Sequence, residues 1–358
     1  MTDMWEIAPS SAILVLGAAA AFLRYGGKSG IGAAVVAGLP IICGALWNPL
    51  VTKAAAVLVV AVSGAAVAGY SFRAMLAAIL PGAYSRMVRR APITATFGLF
   101  VISCTLIMCF FAGAIAPFGE AEIVGDVWET ASSEHLLGTD NLGRDMYSRL
   151  VYGARTTVFV AVAASILSFA FGMVQSFAAA VVGGLVDHTL SRVNDLLLAI
   201  PTLVFALVVL AALPQNVIVL ICVMAVIDQT RVFRLGRAVA VDVVVQDFFE
   251  AARLRGERWG WLVFREVLPN VLTPLVAEFG LRFAYAILFL SSLSFLGLGI
   301  QPPQADWGSM VKDNKDGLIF LVPAALYPGI AVAVLAVSVN MVVDWIQDHT
   351  ASMKGGRT

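Results

Sequence analysis

Charge is scarce in this chain. Only 13% of its 358 residues are Asp, Glu, Lys or Arg, about half the share found in soluble proteins. With 60% hydrophobic residues and a mean hydropathy of +0.90, that deficit excludes a soluble enzyme, a nucleic-acid binder and a disordered chain. The 23 basic and 23 acidic residues cancel, so no overall bias points to nucleic acid or to an acidic partner. Cysteine is also sparse. Cys43, Cys104, Cys109 and Cys222 each lie in an apolar run without CxxC spacing, which reads as packing rather than a disulfide framework or a zinc site. His135, His188 and His349 are far apart and make no HExxH pair, so a metal centre has little support. A phosphate-cradling loop is missing as well. Its nearest likeness is Gly26-Gly27-Lys28-Ser29, where Phe22 occupies the position that the motif's first glycine requires. No Ser/His/Asp or Cys/His set is placed for nucleophilic chemistry, and no catalytic residue is assigned.

What the chain does have is long runs without charge, over 7–23, 29–52, 54–72, 91–119, 156–186, 196–227, 283–305 and 317–343. A helix needs about 20 apolar residues to cross a bilayer. The run 196–227 is too long for one crossing and breaks at Pro214-Gln215-Asn216, giving helices over about 196–213 and 217–233. The run 283–305 starts in an earlier helix, near 272. Six crossings therefore follow residue 91, and three more fit upstream: an all-α, polytopic membrane protein. Asp3 and Glu6 precede 7–23 and no basic stretch does, which argues against a cleaved signal peptide. Segment 74–85 is short, contains Pro81 and reads as an interfacial helix. Charge asymmetry orients the chain. Arg86, Arg89 and Arg90 belong inside. The acidic stretch Glu120, Glu122, Asp126, Glu129 and Glu134 belongs outside. Arg231, Arg234, Arg237, Arg253, Arg255, Arg258 and Arg265 fall inside, as do Lys354 and Arg357, so the N-terminus is outside and the C-terminus cytoplasmic.

Between tight loops stands one long inner segment, 228–270. Its spacing predicts a short helix through Glu250-Ala251-Ala252, a turn at Gly256 and a second helix across the membrane face, with Leu268-Pro269 opening the next crossing. Ala251 and Ala252 permit close approach. Phe248, Phe249, Trp259 and Trp261 suit a partner's groove or the headgroup level. Read without any comparison, an amphipathic interfacial connector explains the segment slightly better.

The same residues resemble a known family. Glu250-Ala251-Ala252, then Gly256, then Val267-Leu268-Pro269 resembles the EAA loop of binding-protein-dependent ABC importer permeases. Leu137 to Asp145 (LGTDNLGRD), Leu293 to Gly299 (LSFLGLG), Gln301-Pro302-Pro303 and Asp306-Trp307-Gly308 are similar to segments of its dipeptide, oligopeptide and nickel branch. Gly183-Gly184, Asp187, Arg192, Asp195, Pro201, Pro328-Gly329 and Asn340 fit as well, all in family order over about 85–350. Residues 1–80 have no counterpart there, Leu290 replaces a frequent glutamate, and Asp228-Gln229 stands where an aromatic is common.

The resemblance implies a C-type permease subunit in a bacterial inner membrane, with a six-helix permease domain over 81–358, its coupling loop over about 246–270, and an N-terminal extension over 1–80 holding about three further helices. It implies a second homologous permease subunit, two ATP-binding subunits that use ATP and Mg, and an extracytoplasmic substrate-binding protein. The chain itself would bind no cofactor and no nucleic acid. Glu250, Ala251, Ala252, Gly256, Leu268 and Pro269 become the ATPase-coupling residues. Gly138, Thr139, Asp140, Gly143, Arg144 and Asp145, which carry turn and cap chemistry, become an outer loop near the binding protein.

Three ionisable residues at membrane depth are candidates for the translocation pathway: Asp228, Glu278 and Arg282, the last two in the favourable i, i+4 order. A structural pair near a helix end is the alternative for Glu278 and Arg282. Asp187, Arg192 and Asp195 form a separate inner cluster. Trp307 suits the outer headgroup level. A rival function is a secondary transporter or channel that uses buried acids and no ATP. Peptides are the commonest cargo of the branch, alongside metal chelates, opines and glycosides.

Overall fold

The computed structural model describes residues 49–355. The expected crossings over 7–23 and 29–52 lie almost wholly outside them. The chain divides near Phe100 into two compact units, 1–100 and 101–358. Among the described residues the regular structure is helical, with two isolated β-bridges and no strand.

In the first unit, α1 (Pro49–Ile79) runs unbroken through Lys53 and through the first half of the expected interfacial helix. Pro81-Gly82 ends it, because proline cannot extend the helix and Gly82 takes φ +51°. The amphipathic element of this stretch is instead α2 (Gly82–Arg90). Gly69 lets α1 approach the start of α3 (Ile93–Ile115) closely: a Cβ there would sit 3.1 Å from the Phe97 backbone nitrogen.

The second unit is built on α4 (Met146–Val182) and α7 (Val217–Val244), which lie side by side. The cause is a row of small residues one turn apart on α4. Ser168, Gly172 and Ser176 face Asp228, Val232 and Gly236 of α7 in parallel register. A Cβ on Gly172 would meet Val232 Cβ at 2.7 Å, and one on Gly236 would meet Ser176 Oγ at 2.6 Å. Small residues at four-residue spacing are how helices approach without a large side chain between them.

Between these two run α5 (Gly184–Ala199) and α6 (Thr202–Ala212), bent by 88°. The single helix expected over 196–213 is therefore corrected. Ile200 is extended ahead of Pro201, as a residue before proline prefers, and the 11 residues of α6 span only about 16 Å. Helix α7 is capped at Asn216, as the turn signal required, but continues past Asp228 to Val244 rather than ending near 233.

Next come α8 (Asp247–Leu254), the short α9 (Trp259–Trp261), a π-helical turn over Leu262–Val267 and α10 (Leu268–Phe295). The last three form one span that begins near 259 rather than 272. Pro269 supplies no N–H to the preceding turn, and the wider π register bridges it with Leu268 N–H bonding to the Val263 carbonyl. After α10 come α11 (Trp307–Asn314), two 3-10 turns and α12 (Leu326–Gly355).

Four described helical stretches are long and apolar enough to cross a membrane, and the bent α5–α6 pair makes a fifth if counted as one span. Of the six crossings expected after residue 91, the remaining one is α7. Its 28 residues suffice in length, but Asp228, Arg231, Arg234, Arg237 and Asp242 interrupt it. The main core gathers α4, α7, α10, α11 and α12 around Ile287, Leu290, Leu293 and Trp307. A second, smaller core sits under α8.

Candidate functional site

The first candidate is the face made by α8. Phe249 and Ala252 are buried and plug it into the smaller core with Phe177, Ala240, Leu262, Val263 and Val267. The other side of the same helix turns outward: Glu250, Ala251, Arg253 and Leu254 are exposed, and Leu254 is 82% exposed. Phe248 and Trp259 flank this face, partly exposed. So of the two expected small residues only Ala252 makes a close approach within the chain, and Phe249 fills the chain's own core rather than a partner's groove.

Gly256 ends α8 at φ +79°. Its N–H bonds to the Arg253 carbonyl at 3.0 Å and Glu257 N–H reaches the Ala252 carbonyl, the paired bonds of a left-handed helix cap. Among the described residues nothing lies within 4 Å of a Cβ placed there. Glycine is required by the backbone angle, not by space. Leu268 and Pro269 lie beyond the π turn, at the start of α10.

The second candidate is a charge cluster between α7 and α10. Arg282 Nε is 2.7 Å from Glu278 Oε1, and its Nη1 is 3.5 Å from Asp228 Oδ1. Arg231 Nη1 stands 3.6 Å from the same Asp228 oxygen, and its Nη2 donates to Thr202 Oγ1 at 3.2 Å. Both guanidiniums lie over the Tyr285 ring, at 4.9 Å for Arg231 and 5.9 Å for Arg282. All three predicted pathway residues are thus brought together, mostly shielded from solvent. Two further members escaped the sequence reading. Arg231 was visible as the i+3 neighbour of Asp228 on one helix; Tyr285 carried no signal beyond lying one turn from Arg282.

The inner cluster of Asp187, Arg192 and Asp195 is redrawn. Asp187 on α5 makes a two-pronged ion pair with Arg237 on α7 and accepts from Ser191 at 3.3 Å. Beneath it, Asn194 donates to Gln175 at 3.0 Å, and Gln175 in turn contacts Gln229.

At the opposite end of α4, the segment 138–145 folds inward. Thr139, Asp140, Arg144 and Asp145 are buried. Asp140 accepts from the backbone N–H of Leu142 and Arg144 at 2.8 and 3.0 Å, and from Arg144 Nε at 2.7 Å. Arg149 Nε lies 3.2 Å from Asp140 Oδ2. Asp145 caps α4 through Ser148 N–H and contacts His135 Nδ1 at 3.1 Å. Arg144 thus pairs with Asp140 one turn away rather than with its neighbour Asp145. Gly138 and Gly143 take φ +74° and +76°, and a Cβ on either would run into the carbonyl of Glu129 or Gly125. These side chains build a platform at this end of α4 from within. The outward positions of this platform are Ile123, Val127, Leu136 and Leu142.

The platform is bolted to α11. Asn314 Oδ1 accepts from the Asn141 backbone at 2.9 Å and from the Trp128 indole at 3.3 Å. Trp307 is fully buried, with its indole donating to the Leu150 carbonyl at 2.9 Å, which corrects its expected place at the headgroup level. Asp306 caps α11 through Ser309 N–H at 3.0 Å and accepts from Thr157 at 2.9 Å. Burial pushes its carboxyl above the ordinary carboxylate range, against the pull of those donors.

Residues 170–352, which hold α7, α8, α10 and nearly all of α12, match the family described as binding-protein-dependent transport system inner membrane component. The chain belongs to that family. It is a multi-pass inner-membrane permease subunit of a binding-protein-dependent ABC importer; it is not itself an enzyme, and it works in a complex with ATPase and binding-protein partners. The permease is 31% identical over 255 residues to a dipeptide transport system permease protein of Alkalihalophilus pseudofirmus, covering 71% of this chain and 84% of the relative. It is 35% identical to a putative peptide transport system permease protein of Brucella suis, covering 68% of this chain and 83% of that one. Against the dipeptide permease protein of Escherichia coli the identity is 34%, over 71% of this chain and 87% of the relative.

Proposed function

We propose that the permease forms one half of the route by which a peptide importer moves its cargo, and that α8 is the point at which an ATP-binding subunit drives it. A homologous second subunit supplies the other half. Two ATP-binding subunits grip the inner faces and use ATP with Mg, while this chain binds neither. The extracytoplasmic binding protein docks at the opposite end, on the platform over 116–145. The C-terminus is cytoplasmic, on the same side as α8.

The observation that carries this reading is the division of α8 into two faces. Phe249 and Ala252 tie it rigidly to the foot of α10, and Glu250, Ala251 and Leu254 present the rest to the outside. A push on the outer face travels through packed side chains into the span over Trp259–Phe295, which also carries Glu278 and Arg282. Rigid helices coupled in this way suit a two-state rocking motion. The arginines flanking α8 favour the cytoplasmic side. The peptide cargo is supported by the relatives named for dipeptide or peptide transport.

Gly256→Pro tests the coupling. Proline fixes φ near −65° where +79° is needed, and removes the N–H that bonds Arg253. The expected result is a variant that inserts normally but fails to co-purify with the ATP-binding subunits and loses uptake. Normal uptake removes α8 from the coupling role.

A further inference from the structure

The Arg231 guanidinium is incompletely used. Its Nη1 is buried and has no hydrogen-bond partner among the described residues. The nearest carboxylate, Asp228, lies at 3.6 Å, beyond hydrogen-bond reach, and is shared with Arg282 at 3.5 Å. An unpaired buried donor on a charged group is costly, and proteins retain one where something else completes it. The rest of the group is held in place: Nη2 is bonded to Thr202 on α6 and the plane rests over Tyr285 on α10. Two recesses meet at this side chain, one lined with Asp228, Tyr285 and Phe289, the other with Thr202 and Phe205. The Arg231 side chain is 30% exposed, more than Asp228, Glu278 or Arg282, although Nη1 itself is covered in this state.

Charge balance narrows the solute. Two carboxylates, Asp228 and Glu278, face two guanidiniums, Arg231 and Arg282, so the cluster is neutral as it stands. A lone anion or a lone cation arriving at membrane depth would leave a net charge there, which is expensive. A zwitterion adds none. Its carboxylate supplies the acceptor that Arg231 lacks, in the bidentate geometry a guanidinium fork favours.

From this we propose that Arg231 is a cargo-contacting residue that receives the free C-terminal carboxylate of a peptide in transit, with Tyr285 and Thr202 as its positioning residues. The proposal rests on the peptide reading and names the chemistry of recognition within it.

The test uses the whole importer with its binding protein in proteoliposomes. Uptake of alanyl-alanine and of alanyl-alanine amide is measured at concentrations that saturate the binding protein for each. The probes carry the same side chains and amino end but differ in the carboxylate. Wild type is expected to carry the free dipeptide at least tenfold faster than the amide. Arg231→Gln is expected to lose at least tenfold on the free dipeptide and less than twofold on the amide. Arg231→Lys keeps charge but loses the fork and falls between; it also serves if the glutamine variant fails to assemble. An equal loss on both probes, as expected if Arg231 only holds helices together or pairs with the second subunit, overturns the proposal. So does an unchanged ratio. A wild-type complex that carries neither probe, yet transports another ligand of its binding protein, overturns the peptide reading and this proposal with it.

Discussion

Asp140 is the shared ion-pair partner of Arg144 and Arg149, with all three side chains nearly sealed from water. Removing one partner of a buried ion pair leaves an uncompensated charge, which costs about 3–5 kcal/mol. Asp140→Ala is therefore expected to lower the yield and the thermal midpoint of the detergent-purified permease sharply, whereas an exposed neighbour such as Leu142→Ala leaves both unchanged. Thermal unfolding of the two variants checks this. The residues involved were legible as turn and cap formers from Asp140-Asn141 and Gly143. Their burial was not, because it depends on Arg149, Trp128 and Asn314, contacts made across long stretches of chain. The same limit applies to Trp307. Its composition suggests an interface, and only the packing of α11 against Gly153 shows that the indole is enclosed.

At the scale of elements, α8 is held by few side chains, and Phe249 is the largest of them. Truncating a buried phenylalanine costs about 3–5 kcal/mol, more than an eight-residue helix recovers on its own, since isolated helices of that length are marginal. Phe249→Ala is expected to free α8 locally. Limited proteolysis in membranes would then cut near 245–258 faster than in wild type, and peptide-stimulated ATP turnover would fall, with the spans still inserted. Equal protection in both proteins would show that Phe249 does not anchor the helix. The helix itself was readable from sequence, since Gly256 and Pro269 mark its surroundings through backbone chemistry alone. Two other boundaries were not. Pro201 was visible but read as part of one crossing, because the Pro214-Gln215-Asn216 turn accounted for the length of the apolar run by itself. The continuation of α7 past residue 233 was hidden because charges such as Arg234, Arg237 and Asp242 normally end a span. Here Asp228 is paired with Arg282 on α10 and Arg237 with Asp187 on α5, pairings that sequence periodicity does not contain.

At the largest scale, the proposed function needs two ends of the second unit joined by stiff connections. One end is the platform over 116–145, held by buried polar bonds and capped helices. The other is α8, fastened to the foot of α10 and otherwise open. Between them the α4–α7 pair, drawn together by Ser168, Gly172 and Ser176, carries Asp228 and Arg231 opposite Glu278 and Arg282. The family match over 170–352 falls within this second unit, and the order of the motifs had already pointed there. The most direct measurement is site-directed photo-cross-linking from position 254, the outermost side chain of α8, in membranes containing the whole importer. The account predicts a product with an ATP-binding subunit whose yield changes when ATP is added. A product only with the external binding protein, or labelling of 254 by a reagent confined to the exterior, would contradict it.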